Sequence, residues 1–150
     1  MRTHGSGTGR VIQKRIEGLR LPPNLREYEQ ARASFTWESA RAELEGLPAG
    51  GLNIAHEAID RHARGALAKK VAIRWISRDD AVEDLTYELL SDRTNRFANA
   101  LESLGVKPRD AVFALAGRIP ELYIAALGTL KARAMFCPLF SAFGPEPIRA

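Results

Sequence analysis

The chain has 150 residues, 45% of them hydrophobic and 27% charged, with a formal net charge of +4. This composition fits one ordinary globular unit with a core. The basic excess is concentrated near the N-terminus, at Arg2, Arg10, Lys14, Arg15 and Arg20. Beyond residue 20 the charges nearly balance, and no basic face is interleaved with aromatic residues. The charge therefore argues against nucleic acid as a partner.

The cysteine content and the length of the apolar runs indicate where in the cell the protein is expected. Cys137 is the single cysteine, which excludes an intramolecular disulfide and suits a reducing compartment, so we expect a cytoplasmic protein. The apolar runs are far shorter than the ~20 residues that cross a bilayer, so no membrane partner is expected. Residues 1–20 are predicted to form a disordered basic arm, and a transit peptide remains an alternative for the same stretch.

Residues 21–65 are predicted to form a helical lead-in. A helical pattern covers residues 24–33, and a second helix is predicted from a cap at Thr36 to Gly46. Asn53 is then placed to cap an amphipathic helix that stops at Gly65.

The remaining stretch, residues 66–150, is predicted to be α/β. Residues 71–76 alternate as a strand does, residues 77–84 read as a polar turn, and Leu85 resumes an extended pattern, which together indicate a hairpin. A long helix is predicted over residues 87–104 and ends at Gly105. One apolar stripe of this helix comprises Leu90, Thr94, Phe97, Leu101 and Leu104.

A strand, a helix and a second strand then follow in order. Residues 111–116 and 134–139 are unbroken apolar runs, typical of strands buried on both faces, and Pro120 starts the helix between them. Such a βαβ unit has parallel strands and a right-handed crossover. The predicted fold class is therefore α/β, an incomplete doubly wound mixed or parallel sheet with a helical lead-in.

The final seven residues, 144–150, read as the opening turn of another helix. A helix of three residues cannot repay its nucleation cost. We therefore expect the chain to be the front piece of a longer protein, with residues 66–150 a truncated α/β portion.

Several polar groups are not expected to form a site. His56 and His62 stand six residues apart, about 240° around a helix at ~100° per residue, so they cannot bind one metal ion. The acidic residues within 79–84 lack calcium-loop spacing and indicate a solvated turn. No strand precedes the glycine-rich run at 5–9, which favours a flexible tail over a phosphate loop. Cys137 lies in a strand pattern typical of a core cysteine. We therefore expect no catalytic and no metal-binding residue in this chain.

One edge of the predicted sheet is a candidate binding site, because ligands of doubly wound proteins bind past the carboxyl ends of the strands. Two loops qualify, residues 117–120 and 140–144. Phe140, followed by the small residues Ser141 and Ala142, offers a flat aromatic wall to a ring such as adenine, while core packing of the aromatics remains the alternative.

The order of several segments resembles the adenylate-forming enzymes, and within them the AMP-forming acetyl-CoA synthetases. The segments are 53–55, 58–60, 86–87, 94–101, 104–110, 118–123, 127–132 and 138–146. The resemblance implies activation of acetate with MgATP to acetyl-adenylate, followed by acyl transfer to coenzyme A. It also implies that the phosphate loop, the adenine-binding segment and the catalytic lysine lie downstream, so the chain alone is expected to be inactive.

The resemblance further implies a coenzyme A nucleotide wall at Phe140, Ser141 and Ala142. Many family members have Phe-Gly-Gly-Phe there, and Ser141 and Ala142 replace the two glycines. Arg133 stands where glycine is common, and a left-handed conformation there would cost about 1 kcal/mol. Two alternatives remain: a non-catalytic α/β interaction module and a fragment of another short-chain acyl-CoA synthetase.

Overall fold

The structure is a computed structural model and describes residues 20–21, 24–25, 27–142 and 144–149. Its contacts divide the chain into two compact units, Met1–Ala42 and Glu43–Ala150. Apart from Arg20, the predicted basic arm lies outside the described residues, and so does the glycine-rich run at 5–9.

The described residues of the first unit form two short helices, α1 at Tyr28–Ser34 and α2 at Trp37–Ala42. The predicted cap is confirmed, because Thr36 Oγ1 accepts a hydrogen bond from the backbone N–H of Ser39 at 3.0 Å. Both helices are shorter than the pattern predicted, and neither contains a buried residue. An apolar stripe stabilises a helix mainly by packing against a core. A helix that buries no residue therefore stays short.

The second unit begins with a loop and a helical stretch. Asn53 Oδ1 accepts from the N–H groups of Ala55 (2.9 Å) and His56 (3.3 Å), which confirms the predicted cap. A π-helical turn, His56–Asp60, then leads into α3, Arg61–Ala63. This stretch belongs, by its contacts, to the same unit as the α/β portion.

The hairpin forms from β1, Val71–Ile76, and β2, Val82–Thr86, paired antiparallel. The prediction of a polar turn as far as residue 84 was wrong, because β2 already begins at Val82. Asp84 lies opposite Arg74 and accepts two hydrogen bonds from its guanidinium, each 2.6 Å long. The backbone pairing of the two strands and this cross-strand ion pair stabilise the strand, although the segment is polar.

The long helix α4 spans Tyr87–Ser103 and is capped by Thr86, whose Oγ1 accepts from the N–H of Leu89 at 3.2 Å. Its predicted stripe is largely confirmed, with Leu90, Thr94 and Leu101 buried. Leu104 is the exception: it follows the last helical turn and is 79% exposed.

The βαβ unit is confirmed as β3 (Ala111–Leu115), α5 (Pro120–Lys131) and β4 (Met135–Leu139), with β3 and β4 parallel. A short helix α6, Pro145–Arg149, follows. Within the described residues the strands form two separate two-stranded sheets, β1–β2 and β3–β4. The fold is thus mixed α/β.

The expectation that β3 and β4 are buried on both faces was wrong. Phe113, Leu115 and Met135 are 66%, 51% and 52% exposed, and Cys137 is half-buried and not in the core. Helix α5 contacts both strands, and the described residues leave the other face open. An apolar run shows that a strand can be buried on both faces. Whether it is buried depends on the other elements that pack against it.

The core lies where helices meet the hairpin. Its buried members are Ile59, Leu85, Leu90 and Ile124. Helices α4 and α5 form its closest contact at Gly128: a Cβ there would stand 2.8 Å from Phe97 Cδ1 and 2.9 Å from the backbone oxygen of Thr94. The two helices approach this closely because position 128 has no side chain.

Arg133, in the turn after α5, has the left-handed conformation that the sequence analysis considered. Its φ of 61° is left-handed, and its N–H donates to the carbonyl of Leu130 at 3.1 Å. The carbonyl of Arg133 accepts from the N–H of Arg109 at 2.9 Å, which joins this junction to the turn before β3. Arginine thus occupies a conformation that favours glycine.

We predict that Gly128→Ala destabilises the chain by about 2 kcal/mol, because the added methyl group meets a backbone oxygen that cannot rotate away. Urea unfolding followed by circular dichroism measures the change. Gly117→Ala is the matched control, since a Cβ at Gly117 meets no atom within 4 Å. Equal stabilities of the two variants would contradict the close helix contact.

Candidate functional site

The candidate site lies at the carboxyl edge of the parallel pair. Leu115 and Leu139, the last residues of β3 and β4, are register partners. The loops that follow the two strands therefore start side by side, as the sequence predicted. This edge is where doubly wound folds place their ligands.

The loop between β3 and α5 is held in place by contacts to its backbone. The indole Nε1–H of Trp75 in β1 donates to the carbonyl of Arg118 at 2.7 Å. The N–H of Ile119 donates to the carbonyl of Gly117 at 3.0 Å, and Pro120 then starts α5 as a buried residue. The hairpin thus braces one side of the edge, a link that sequence spacing did not reveal.

The other side of the edge carries the three predicted wall residues. Phe140 follows β4 directly and is 65% exposed, and Ser141 and Ala142 form an exposed turn. The exposure of Phe140 weighs against the alternative that it packs in the core. An exposed aromatic ring next to small residues suits the flat face of a nucleotide base.

A partly buried polar cluster, which the sequence did not predict, lies away from this edge. Lys131 Nζ donates to Asp60 Oδ1 (2.6 Å) and Asn95 Oδ1 (2.7 Å), and the Ser91 hydroxyl donates to Asp60 Oδ1 (2.7 Å). The Lys131 side chain is only 9% exposed. The cluster joins the π-helical turn, α4 and α5. Ser91 and Asn95 are four residues apart on α4, and this spacing was the available signal.

Beside this cluster lies a cavity of about 330 Å³. Its lining residues include Asn53, His56, Asn95, Lys131 and Arg133. His56 Nε2 is buried without a hydrogen-bond partner in the described residues and lies 3.5 Å from Glu45 Oε1. Because Asp60 and Lys131 already neutralise each other, the arrangement joins elements together and offers no activated nucleophile.

The carboxylate of Glu57 binds the backbone of the loop that precedes the π-helical turn. It accepts hydrogen bonds from the N–H groups of Gly46 (2.8 Å) and Glu45 (3.1 Å) and from Arg61 (2.9 Å). These bonds, chiefly that from Gly46, hold the pKa of Glu57 below its usual value. Helix α2 ends at Ala42, before the predicted end at Gly46.

Among the residues that the structure describes, no group of three or more His, Cys, Asp or Glu side chains is arranged to hold a metal ion. Within the same ranges, no helix has the length and apolar content needed to cross a bilayer.

The Glu57 contacts predict a pH dependence. A carboxyl whose folded pKa is lowered adds stability above its usual value of 4.5, and that stability is lost as the pH falls through the lowered value. The melting temperature of the chain should therefore exceed that of Glu57→Gln at pH 7, and the gap should narrow as the pH falls below 4.5.

The control is Glu102→Gln, which alters an exposed carboxyl on α4. Differential scanning calorimetry at half-unit pH steps measures both series. A gap for Glu57→Gln that stays constant from neutral to acid pH would contradict the ionised contact.

Comparisons with known proteins identify the family. The AMP-binding enzyme family matches residues 59–150. The chain is 39% identical over 133 residues to "Acetyl-coenzyme A synthetase" of Bacillus subtilis, covering 87% of this chain and 23% of that protein. It is 43% identical over 99 residues to the protein of the same name from Methanothrix soehngenii, covering 65% of this chain and 15% of that protein.

The fold comparison agrees. A crystal structure of Brucella canis acyl-CoA synthetase superposes with a TM-score of 0.74 at 40% identity, covering 83% of this chain and 22% of that chain. The chain thus spans less than a quarter of the length of these relatives. Because the family match extends over more than half of its residues, the chain belongs to the AMP-binding enzyme family.

Proposed function

We propose that this chain supplies framework for an AMP-forming acetate–CoA ligase. In the proposed reaction a carboxylate oxygen of acetate attacks the α-phosphorus of ATP and pyrophosphate leaves. The thiol sulfur of coenzyme A then attacks the acyl carbon, and AMP leaves as acetyl-CoA forms. The observation that carries the proposal is the superposition on an acyl-CoA synthetase at 40% identity across 83% of the chain.

We propose that residues 1–150 alone do not catalyse this reaction. Acyl activation needs donors for the phosphates, a metal ion and a cation near the carboxylate under attack. The chain covers 23% of the Bacillus subtilis relative, and two of its cations, Lys131 and Arg93, already form ion pairs with Asp60 and Glu83. ATP, Mg²⁺ and CoA are accordingly proposed as ligands of the whole enzyme.

Within this framework we assign Phe140, Ser141 and Ala142 to one wall for the coenzyme A nucleotide. The support is geometric: Phe140 is 65% exposed at the carboxyl end of β4, beside the braced loop at Arg118. An exposed aromatic ring at this position suits stacking on adenine. Ser141 and Ala142 add side chains where close backbone approach would favour glycine.

The acyl group and the compartment are proposals of the same kind. Acetate is favoured by the names of the two relatives, and another short acid such as propionate is the alternative. A cytoplasmic location is favoured by the single cysteine of the chain.

A second candidate function is a non-catalytic α/β interaction module. The observation that favours it is the open apolar face of β3 and β4, where Phe113 is 66% exposed. A module of this kind would form a well-behaved monomer that binds its partner without any turnover, whereas a piece of an enzyme with such a face would be prone to aggregate.

The test is a chimera in which this chain replaces the aligned segment of the Bacillus subtilis acetyl-coenzyme A synthetase. We predict acetate-dependent consumption of the coenzyme A thiol, since a framework of matching fold should position the remaining parts. The same assay with propionate compares the acyl groups. A chimera that folds by circular dichroism and is monodisperse but inactive would contradict the proposal.

Phe140→Ala within the chimera tests the wall. Loss of one stacking surface should raise the KM for coenzyme A roughly tenfold and leave kcat within about twofold. Leu104→Ala is the control, because Leu104 is 79% exposed at the end of α4, away from the edge. An unchanged KM in the Phe140 variant would remove Phe140 from the wall.

A further inference from the structure

Two arginines occupy equivalent places before the parallel strands. Arg109 and Arg133 each stand two residues ahead of a strand, and the first residues of those strands, Ala111 and Met135, are register partners. The N–H of Arg109 donates to the carbonyl of Arg133 at 2.9 Å, so the two backbones are direct neighbours. The pair therefore lies at the amino edge of the sheet, opposite the carboxyl edge that carries Phe140.

Both arginines have left-handed backbones. The φ angle is 76° at Arg109 and 61° at Arg133, a region in which glycine is unstrained and a residue with a Cβ is not. Guanidinium groups on adjacent backbones also repel each other as like charges. Backbone strain and charge repulsion at the same place point to a compensating contact with an anion.

The charges of these arginines are not balanced by carboxylates. In the part of the chain that the structure describes, neither guanidinium group has an ion pair or a hydrogen bond, and both residues are exposed. Lys107 is a third exposed cation, and its ammonium group has no partner there either. The carboxylate of Asp110 accepts from the backbone N–H of Lys107 at 2.7 Å and forms no ion pair with the three side chains. Lys107, Arg109 and Arg133 are named the amino-edge cations below.

A cavity of about 280 Å³ lies beside these cations. Lys107 and Arg133 line it, together with Asn99, whose amide can donate, and Glu102, whose carboxylate can only accept. Lys131 also lines the cavity, but its ammonium group already donates within the polar cluster. Ligand sites commonly measure ~300–1,000 Å³, so this cavity suits a compact ligand.

We propose that the amino-edge cations bind a compact phosphoanion of the diphosphate class. Guanidinium groups form paired N–H···O bonds with phosphate oxygens, and a lysine adds a point charge. A diphosphate carries enough negative charge to offset three cations, although Glu102 lies on the same wall. The site is at the opposite edge from Phe140, so the inference goes beyond the proposed function and does not depend on it.

Isothermal titration calorimetry of the 150-residue chain with inorganic pyrophosphate, in a low-salt buffer without phosphate or divalent cations, tests the site. We expect saturable binding whose affinity falls as sodium chloride is added. Arg109→Gly and Arg133→Gly should each weaken binding about tenfold, because each removes charge-assisted hydrogen bonds. Glycine accepts the left-handed backbone at both positions, so both variants should unfold cooperatively on heating.

Arg78→Gly is the matched control. Arg78 is an exposed arginine in the hairpin turn, and its side chain has no partner among the described residues. Its replacement should leave the affinity for pyrophosphate unchanged. Lys107→Gln alters an exposed side chain of the cavity and no left-handed position, so it should weaken binding and decides the question if a glycine variant does not fold.

Absence of binding, or equal affinity of the parent chain and the folded Arg109→Gly and Arg133→Gly variants, would overturn the inference. Equal affinities would place the anion elsewhere, for example on the basic residues near the N-terminus. Tighter binding of a glutamate peptide of equal charge would also overturn it, because the partner would then be an acidic protein segment. Adenosine diphosphate identifies the source: tighter binding than pyrophosphate assigns the site to a nucleotide and weaker binding to free diphosphate, and either result supports a phosphoanion.

Discussion

The close approach of α4 and α5 at Gly128 is the constraint on which the second unit depends. A Cβ at this position would stand 2.9 Å from the carbonyl oxygen of Thr94, so the distance between the helices is set by an absent side chain. At that distance Lys131, one turn further along α5, reaches both Asp60 and Asn95. Steric fit and charge pairing thus act together, and the ion pair is satisfied because the helices are already close.

The same helix positions the candidate site. Helix α5 connects β3 to β4, so its placement on α4 also fixes where the two strands end. The braced loop at Arg118 and the exposed ring of Phe140 consequently lie at one edge. Loop residues that follow the strands of a sheet are positioned by the strands and helices behind them.

Local signals in the sequence predicted most element boundaries. The caps at Thr36 and Asn53 and the proline that opens α5 involve neighbours within a few residues, so sequence alone predicts them. The misplaced start of β2 has a different origin: Asp84 is held in the strand by Arg74, ten residues away. Pairing across a hairpin is decided by the partner strand, and a polar segment gives no local sign of it.

Tertiary contacts account for the other differences. The apolar runs of β3 and β4 predicted burial on both faces, yet burial depends on layers that the run itself does not encode. The polar cluster at Lys131 joins residues 71 apart, and no spacing rule pairs Lys131 with Asp60. The position of Phe140 directly after β4 was predictable from the apolar pattern of that strand, whereas the hydrogen bond from Trp75 joins residues 43 apart and no local pattern predicts it.

We propose that these 150 residues carry the framework of an acyl-activating enzyme and not its chemistry. Acetate-dependent exchange of labelled pyrophosphate into ATP tests it most directly, because this exchange reports the first chemical step without requiring coenzyme A. The account predicts no exchange above background by the purified 150-residue chain at any acetate concentration. Exchange that rises and saturates with acetate would contradict it.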